Sequence, residues 1–409
     1  MRRYITILLI SLAFAAQSQT IKQLKRDMYG IASDATEGRF TASTGYLKAA
    51  HYVSGQLKAA GIKTTFQAVP LIWDNYDGST LTLNGKIYLH KNGSFIVLQH
   101  TNAITGDWKI LKTMPDSAET ANMVKQKIAG VILQPNKQQA ADWETTVIRQ
   151  YRFGYMHYAA DYTAVNAQLN IIMVSPALAI KLNKDPNPLV DIQFKQNRVS
   201  GYNVIANLQG TDKKLNNQAI IAGAHLDHIG RLGSHIYNGA NDDGSGCVAL
   251  LAAAKALAHR PAKRPVLFVF YCGEELNLLG SRYFMEHPPL PVKNMLMNIN
   301  LEQVGSKHRS FNGLWALGDP QFKEDFFASG HMFGESDLKF SVTDSVRDVL
   351  SNTDSYSFMK NNVPSLLLGS GGFDEHHTPQ DKIDLIDFEH LQKVSRLLNQ
   401  LIRQIANKL

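Results

Sequence analysis

Cysteine is scarce in this sequence. Cys247 and Cys272 are the only two in 409 residues, which argues against a fold held together by a disulfide framework. One falls at the start of an expected helix and the other at the end of an expected strand, so both read as small buried thiols packed between sheet and helix. Long apolar runs are missing too. The stretch Ile5 to Ala15 is too short to cross a bilayer, and no later segment is a candidate span. Lys and Arg outnumber Asp and Glu to give a formal charge of +7. Yet no run of consecutive basic residues is long enough to track a phosphate backbone, so nucleic acid is not an expected partner. There is no His-Glu-X-X-His and no Gly-X-Ser-X-Gly, which argues against a single-zinc protease of the thermolysin type and against a serine hydrolase.

What is present starts with a secretory layout over residues 1–19: basic Arg2-Arg3, the apolar stretch, then small and polar Ala16-Gln17-Ser18. Export to a periplasm or the medium is the expectation. No cysteine follows the cleavage point, so a lipid-anchored form is not expected. The remainder is long for one domain, and with 44% hydrophobic residues it has ample material for a core. We expect a helical amino-terminal part over 20–65, where Leu47, Ala50, Val53, Leu57 and Ala60 recur at helical spacing until Gly61 stops the helix. Residues 66–198 read as short alternating strands with turn signals, such as Leu81 to Tyr88 around Asn84-Gly85. This is an inserted, smaller β-rich domain. Its layout resembles a protease-associated insert, an unrelated β-rich insert being the alternative.

From 199 to 409 strands and helices alternate, as in an α/β domain with a mostly parallel mixed sheet flanked by helices. The strands are Tyr202 to Leu208, Ala219 to Ala224, Val266 to Tyr271, Met295 to Leu301 and Val363 to Leu368. Helices follow from Ser245 to about Ala258 and along Phe388, Leu391, Val394, Leu398, Leu401 and Ile405.

Metal-ligating residue types stand at the ends of these strands or shortly beyond: His225, Asp242, the pair Glu274 and Glu275, Glu302, and His376 or His377. The carboxyl-terminal edge of an open α/β sheet is where such folds place their sites. Two imidazoles and several carboxylates suit a pair of zinc ions bridged by a carboxylate and a water. Asp227 is placed to accept the second N–H of His225 and fix its tautomer. Asp242 could bridge two metals, while Asp243 caps the helix that follows. Two adjacent carboxylates after an apolar strand need a partner or a metal. If Glu275 ligates, Glu274 can act as general base. Spacing alone does not decide between His376 and His377.

Ala-His-Leu-Asp, Gly-Ala-Asn-Asp-Asp-Gly-Ser-Gly, Gly-Glu-Glu-Leu-Asn-Leu-Leu-Gly-Ser and His-Thr-Pro-Gln-Asp together resemble the signature segments of peptidase family twenty-eight. That family comprises zinc aminopeptidases and includes glutamate carboxypeptidase and the glutaminyl cyclases. Ala32 to Arg39 and the helix after it also resemble the family's amino-terminal segment. The resemblance implies one zinc on His225 and Glu302, a second on Glu275 and His377, Asp242 bridging with a cis peptide bond after it, and Glu274 as base. Two positions depart from the family's pattern. Glu302 stands where aspartate is more common, and Thr353-Asp354-Ser355 stands where many relatives have Ser-Asp-His.

The implied function is an exported zinc aminopeptidase acting on peptides. A glutaminyl cyclase, a carboxypeptidase for acidic ends and a binding module with a decayed site are the alternatives. Phe311, Trp315, Phe326 and Phe327 are candidates for the side-chain pocket or for core.

Overall fold

A mixed sheet of nine strands dominates the computed structural model. The model describes residues 20–408 except 102–105, 162–167, 185–186, 307–312, 343–346 and 371–372. The expected secretory segment, residues 1–19, and Phe311 lie outside the described residues. In chain order the strands are β1 (Lys63–Asn75), β2 (Met156–Tyr158), β3 (Lys195–Leu208), β4 (Ala219–His225), β5 (Val266–Tyr271), β6 (Met295–Glu302), β7 (Leu314–Gly318), β8 (Leu338–Val342) and β9 (Ser365–Gly369). They lie side by side in the order β8-β7-β9-β6-β4-β5-β3-β1-β2.

The four central strands β5, β4, β6 and β9 are mutually parallel, while β3 joins β5 and β7 joins β9 in antiparallel fashion. Every residue of β4 and β5 is buried. A parallel strand covered on both faces has no polar side to show, hence the unbroken runs Ala-Ile-Ile-Ala-Gly-Ala and Val-Leu-Phe-Val-Phe-Tyr. Register then fixes where these strands stop. His225 is level with Tyr271, Gly223 with Asn300, and Glu302 with Gly369. Parallel strands that end together bring their carboxyl-terminal loops to one edge.

The flanking helices are α1 (Ile21–Ala32), α2 (Thr44–Ala59), α3 (Gly246–His259), α4 (Leu279–Glu286) and α5 (Phe388–Asn407). Thr20 and Gln23 form a capping box on α1, and Asp387 caps α5 through the amides of Glu389 and His390. Helix α5 buries Leu391, Val394, Leu398, Leu401 and Ile405, the expected face, and packs on α3, which packs on β4. Gly61, at φ 78°, follows the end of α2.

The chain divides into two units. One gathers the described residues of Met1–Val69, Gly201–Gly230 and Ile236–Leu409. The other comprises Pro70–Ser200 with Arg231–His235. Within the second unit a four-stranded sheet carries Ile96, Val131, Ile171 and Met173 on one face and Phe95, Val97, Ile132 and Ile172 on the other, each face with its own apolar cluster. A hairpin joins Thr80–Leu83 to Lys86–Leu89, and Asn84-Gly85 turn it with φ values of 49° and 76°, the left-handed pair that a tight hairpin demands. Helices Ser117–Lys125, Trp143–Gly154 and Pro176–Leu182 accompany these strands.

Among the described residues no helix is long and apolar enough to cross a membrane.

Candidate metal centre

The ends of β4, β5 and β6 deliver His225, Glu274, Glu275 and Glu302 to one edge, and two further loops add Asp242 and His377. Atoms that could ligate a metal fall into two groups, His225 with Glu274 and Glu302, and Asp242 with Glu275, His377 and His228. Atoms within each group lie within 4.8 Å of one another. Asp242 serves both: Oδ1 lies 3.1 Å from His225 Nε2 and Oδ2 lies 3.3 Å from His377 Nε2. Glu302 Oε1 is 3.2 Å from His225 Nε2 and Glu275 Oε1 is 3.1 Å from His377 Nε2. Glu274 Oε2 stands 3.9 Å from His225 Nε2.

Backbone hydrogen bonds hold this arrangement from behind. The Asp242–Asp243 peptide bond is cis. Asp243 Oδ1 accepts the amide of Gly246, the first residue of α3, at 3.0 Å, and also the amide of Gln303 just beyond Glu302 at 3.0 Å. Asn241 Oδ1 accepts the amides of Gly305 and Ser306 at 2.8 and 2.9 Å. Asp381, four residues after His377, accepts the amides of Asn241 and Asp242 at 2.8 and 3.0 Å. The intervening turn is closed by the Thr378 hydroxyl donating to the Glu375 carbonyl at 2.7 Å, and His377 itself has φ 56°.

Asp227 stands differently from its expected place. His225 Nδ1 is 3.1 Å from the Asp227 backbone carbonyl and 3.8 Å from its carboxylate. An Nδ1–H donated to that carbonyl turns Nε2 toward Asp242 and Glu302; burial pulls the ring down, but Glu302, Glu274 and Asp242 raise it well above its usual value. The Asp227 carboxylate instead accepts the Thr41 hydroxyl at 2.9 Å and the Glu274 amide at 3.2 Å. It therefore holds the backbone of Glu274 in place.

One imidazole enters that residue types alone did not single out, His228, and His376 joins the site beside His377. His228 is fully buried, with Nδ1 2.8 Å from Glu275 Oε1. Burial pushes its ring down, toward the neutral form. His376 stacks on His377 with centroids 3.8 Å apart, and its Nε2 lies 3.0 Å from Asp242 Oδ2. Both histidines of the pair thus reach the same carboxylate oxygen. The signal for His228 was the second histidine of Ala-His-Leu-Asp-His, but a strand ends there and its period says nothing of the next side chain. The cysteines are free and buried, and burial raises both thiols. Cys247 donates to the His225 carbonyl at 3.1 Å, and neither sulfur joins the ligand groups. Phe326 is core, whereas Phe327 is 39% exposed.

The donor set fits metal cations. Glu302 Oε2 is buried with no hydrogen-bond partner, an expensive state for a carboxylate unless a cation faces it. The protonation pattern agrees. Burial raises Glu274 well above the carboxylate range, with Glu302 and Glu275 adding to the effect and His225 opposing it. Burial pulls His377 down, but Glu275 and Asp242 raise it to about 10. The pocket holds more negative charge than the protein's own cations offset, and its nitrogen and oxygen donors are those zinc takes.

Residues 203–402 match peptidase family M28. Those residues, 200 of the 409, belong to that family. Over 130 residues the M28 chain is 34% identical to a probable leucine aminopeptidase 2 of Aspergillus oryzae, a match covering 31% of this chain and 25% of that protein. Over 181 residues it is 26% identical to an aminopeptidase of Bacillus subtilis, covering 42% of this chain and 38% of that one. Matches of this kind thus span between a quarter and two fifths of these relatives' own length. Two solved structures share its fold almost end to end. A zinc aminopeptidase from Bacillus subtilis is 16% identical with a TM-score of 0.64 over 95% of this chain and 96% of that one. An aminopeptidase from Aneurinibacillus sp. strain AM-1 is 20% identical with a TM-score of 0.60 over 94% of each chain.

Proposed function

We propose that this M28 protein is an exported dinuclear zinc aminopeptidase. The observation that carries the reading is Asp242 with one oxygen toward His225 and the other toward His377, the geometry of a carboxylate shared between two ions. His225 and Glu302 would hold one ion, and Glu275 and His377 the other. The similarity to a probable leucine aminopeptidase and to a zinc aminopeptidase supports the choice of reaction. The basic, then apolar, then small-residue order of residues 1–19 supports export.

Zinc bound there supplies a Lewis acid for the scissile carbonyl and acidifies water at neutral pH. The rest falls to the chain. Glu274, only 11% exposed at its side chain, takes the proton of the attacking water and returns it to the leaving amine. Burial raises its pKa, which helps it keep the proton it has taken until the amine leaves. Asp227 holds the Glu274 amide and so aims that carboxylate. The free amino terminus of a substrate, a cation, finds the electronegative surroundings of Glu274 and Glu302.

The test is release of amino acid from short peptides with free or acetylated amino termini, with and without chelator. Chelator-sensitive release from the free-amine set alone is the expected result. Equal cleavage of acetylated peptides would remove the aminopeptidase reading in favour of a carboxypeptidase. Ammonia release from amino-terminal glutamine without hydrolysis would indicate a cyclase.

A further inference from the structure

We propose that residues 34–41, which precede the M28 match at 203–402, are the positioning frame of the metal centre, with Arg39 and Thr41 as its positioning residues. The proposal rests on the metal-centre reading above and adds to it a requirement for a segment some 185 residues upstream.

Arg39 is completely buried, and its guanidinium is committed to backbone carbonyls. Nε donates to Leu226 at 2.7 Å, Nη2 to Gly239 at 2.8 Å, and Nη1 to Asn238 and, at 3.4 Å, to Ile31. Leu226 follows His225 directly, and Asn238 and Gly239 lie just upstream of Asp242. One rigid, planar fork therefore pins two ligand loops to the end of α1. The link is reciprocal, because the amide of His228 donates to the Arg39 carbonyl at 3.2 Å. Asp34 adds a second tie, its Oδ1 accepting from the Asn238 side-chain amide at 2.8 Å.

Thr41 reaches the third loop. Its hydroxyl accepts the Gly273 amide at 2.9 Å and donates to Asp227 at 2.9 Å, while Asp227 holds the amide of Glu274. One hydroxyl thus sets the backbone on which Glu274 and Glu275 stand. The segment passes so close that glycine is required at 38. With φ at 71°, a Cβ there would meet the carbonyl oxygens of Gly230 and Tyr237 at 2.4 Å. Since Arg39 and Thr41 bond ligand loops rather than ligand atoms, their effect must travel through position.

Two variants test this. Thr41→Val keeps the shape and removes both hydrogen bonds; Arg39→Lys keeps the charge and removes the fork. Zinc affinity is read by competition with a chromophoric chelator, kcat and KM on a free-amine dipeptide, and backbone order by hydrogen exchange over 225–228, 238–243 and 272–275. Loss of such supporting bonds costs about 10–100-fold in metal affinity or activity. We expect zinc affinity and kcat to fall in that range, KM to stay within about twofold, and exchange to quicken in those three segments but not in α5. Variants that melt earlier yet keep wild-type zinc affinity, kcat and loop protection would overturn the proposal, since the frame would then serve stability alone. Should Arg39→Lys fail to fold, Thr41→Val decides. Should the wild-type protein itself neither bind zinc nor hydrolyse peptides, the metal reading fails. Exchange in the variants then decides by itself whether 34–41 holds the loops.

Discussion

The carboxylate of Asp381 accepts the backbone amide of Asp242 at 3.0 Å, tying the loop that carries His377 to the loop that carries the shared carboxylate. A second bond, from the Asn241 amide to the other oxygen at 2.8 Å, makes the tie two-pronged. Asp381→Asn keeps one acceptor and turns an N–H₂ toward a backbone N–H. We predict zinc affinity lower by about 10–100-fold, with the fold intact by circular dichroism. A variant that titrates zinc like wild type would show that the His377 turn is held by other means.

Glu274→Gln leaves the proposed ligands His225, Asp242, Glu275, Glu302 and His377 untouched while removing the proposed proton acceptor. The expected outcome is full zinc content by elemental analysis with kcat reduced by about 10²–10⁴-fold and KM nearly unchanged. Turnover near the wild-type rate would strip Glu274 of its role as base.

Proton linkage provides a prediction that needs no substrate. Without metal, burial raises Asp227 from 3.8 to about 6, and Asp354 and Asp381 from 3.8 to about 7. His377 is raised from 6.5 to about 10, as Glu275 and Asp242 outweigh burial. In each case the folded state binds its proton more tightly than the unfolded state. Stability from these groups is therefore fully present below their unfolded values and declines as pH rises, from about 4 to 7 for the carboxylates and from about 6.5 to 10 for His377. Asp242 is held well below 3.8, and His228 below 6.5; they act oppositely, only in the acid range. Zinc supplies positive charge in place of these protons and so releases them on binding. The melting temperature of chelator-treated protein should fall from pH 6.5 to pH 9. Calorimetric titration of zinc in two buffers of different ionisation enthalpy should show net proton release. Proton uptake on zinc binding would contradict the charge assignment.

The parts legible in the sequence are those whose signal is local. A parallel central strand buries both faces, so Ala219 to Ala224 and Val266 to Tyr271 announced themselves as apolar runs, and acidic or imidazole residues at their ends stood out. The sheet class, α5 and the candidate donors themselves follow from such patterns, whereas the division of the donors into two groups was implied by the family resemblance. Arg39, Thr41 and Asp381 were hidden because their partners are backbone amides and carbonyls or a distant side chain, Leu226 standing 187 positions after Arg39. A main-chain carbonyl has no residue identity to search for. Asp227 shows the same limit. Its spacing from His225 suggested a side-chain acceptor, whereas the loop turns the backbone carbonyl toward the ring and frees the carboxylate for Thr41 and Glu274.

Glu302 raises the last prediction. Its side chain, one methylene longer than the aspartate that the family resemblance leads us to expect there, reaches 3.2 Å from His225 Nε2 while its backbone stays level with Gly369 at the end of β6. The amide of the next residue, Gln303, is fixed by Asp243 at 3.0 Å, so the strand end cannot advance to compensate for a shorter side chain. Glu302→Asp should therefore not restore a more typical site. It should withdraw the carboxylate by about the length of one C–C bond, 1.5 Å, well beyond the 0.2 Å tolerance of metal coordination. We expect one zinc of the two to bind much more weakly, visible as a biphasic chelator titration, with the site of Glu275 and His377 retained. A single-phase titration at wild-type affinity would mean that the strand end yields after all, and that Glu302 and aspartate are interchangeable here.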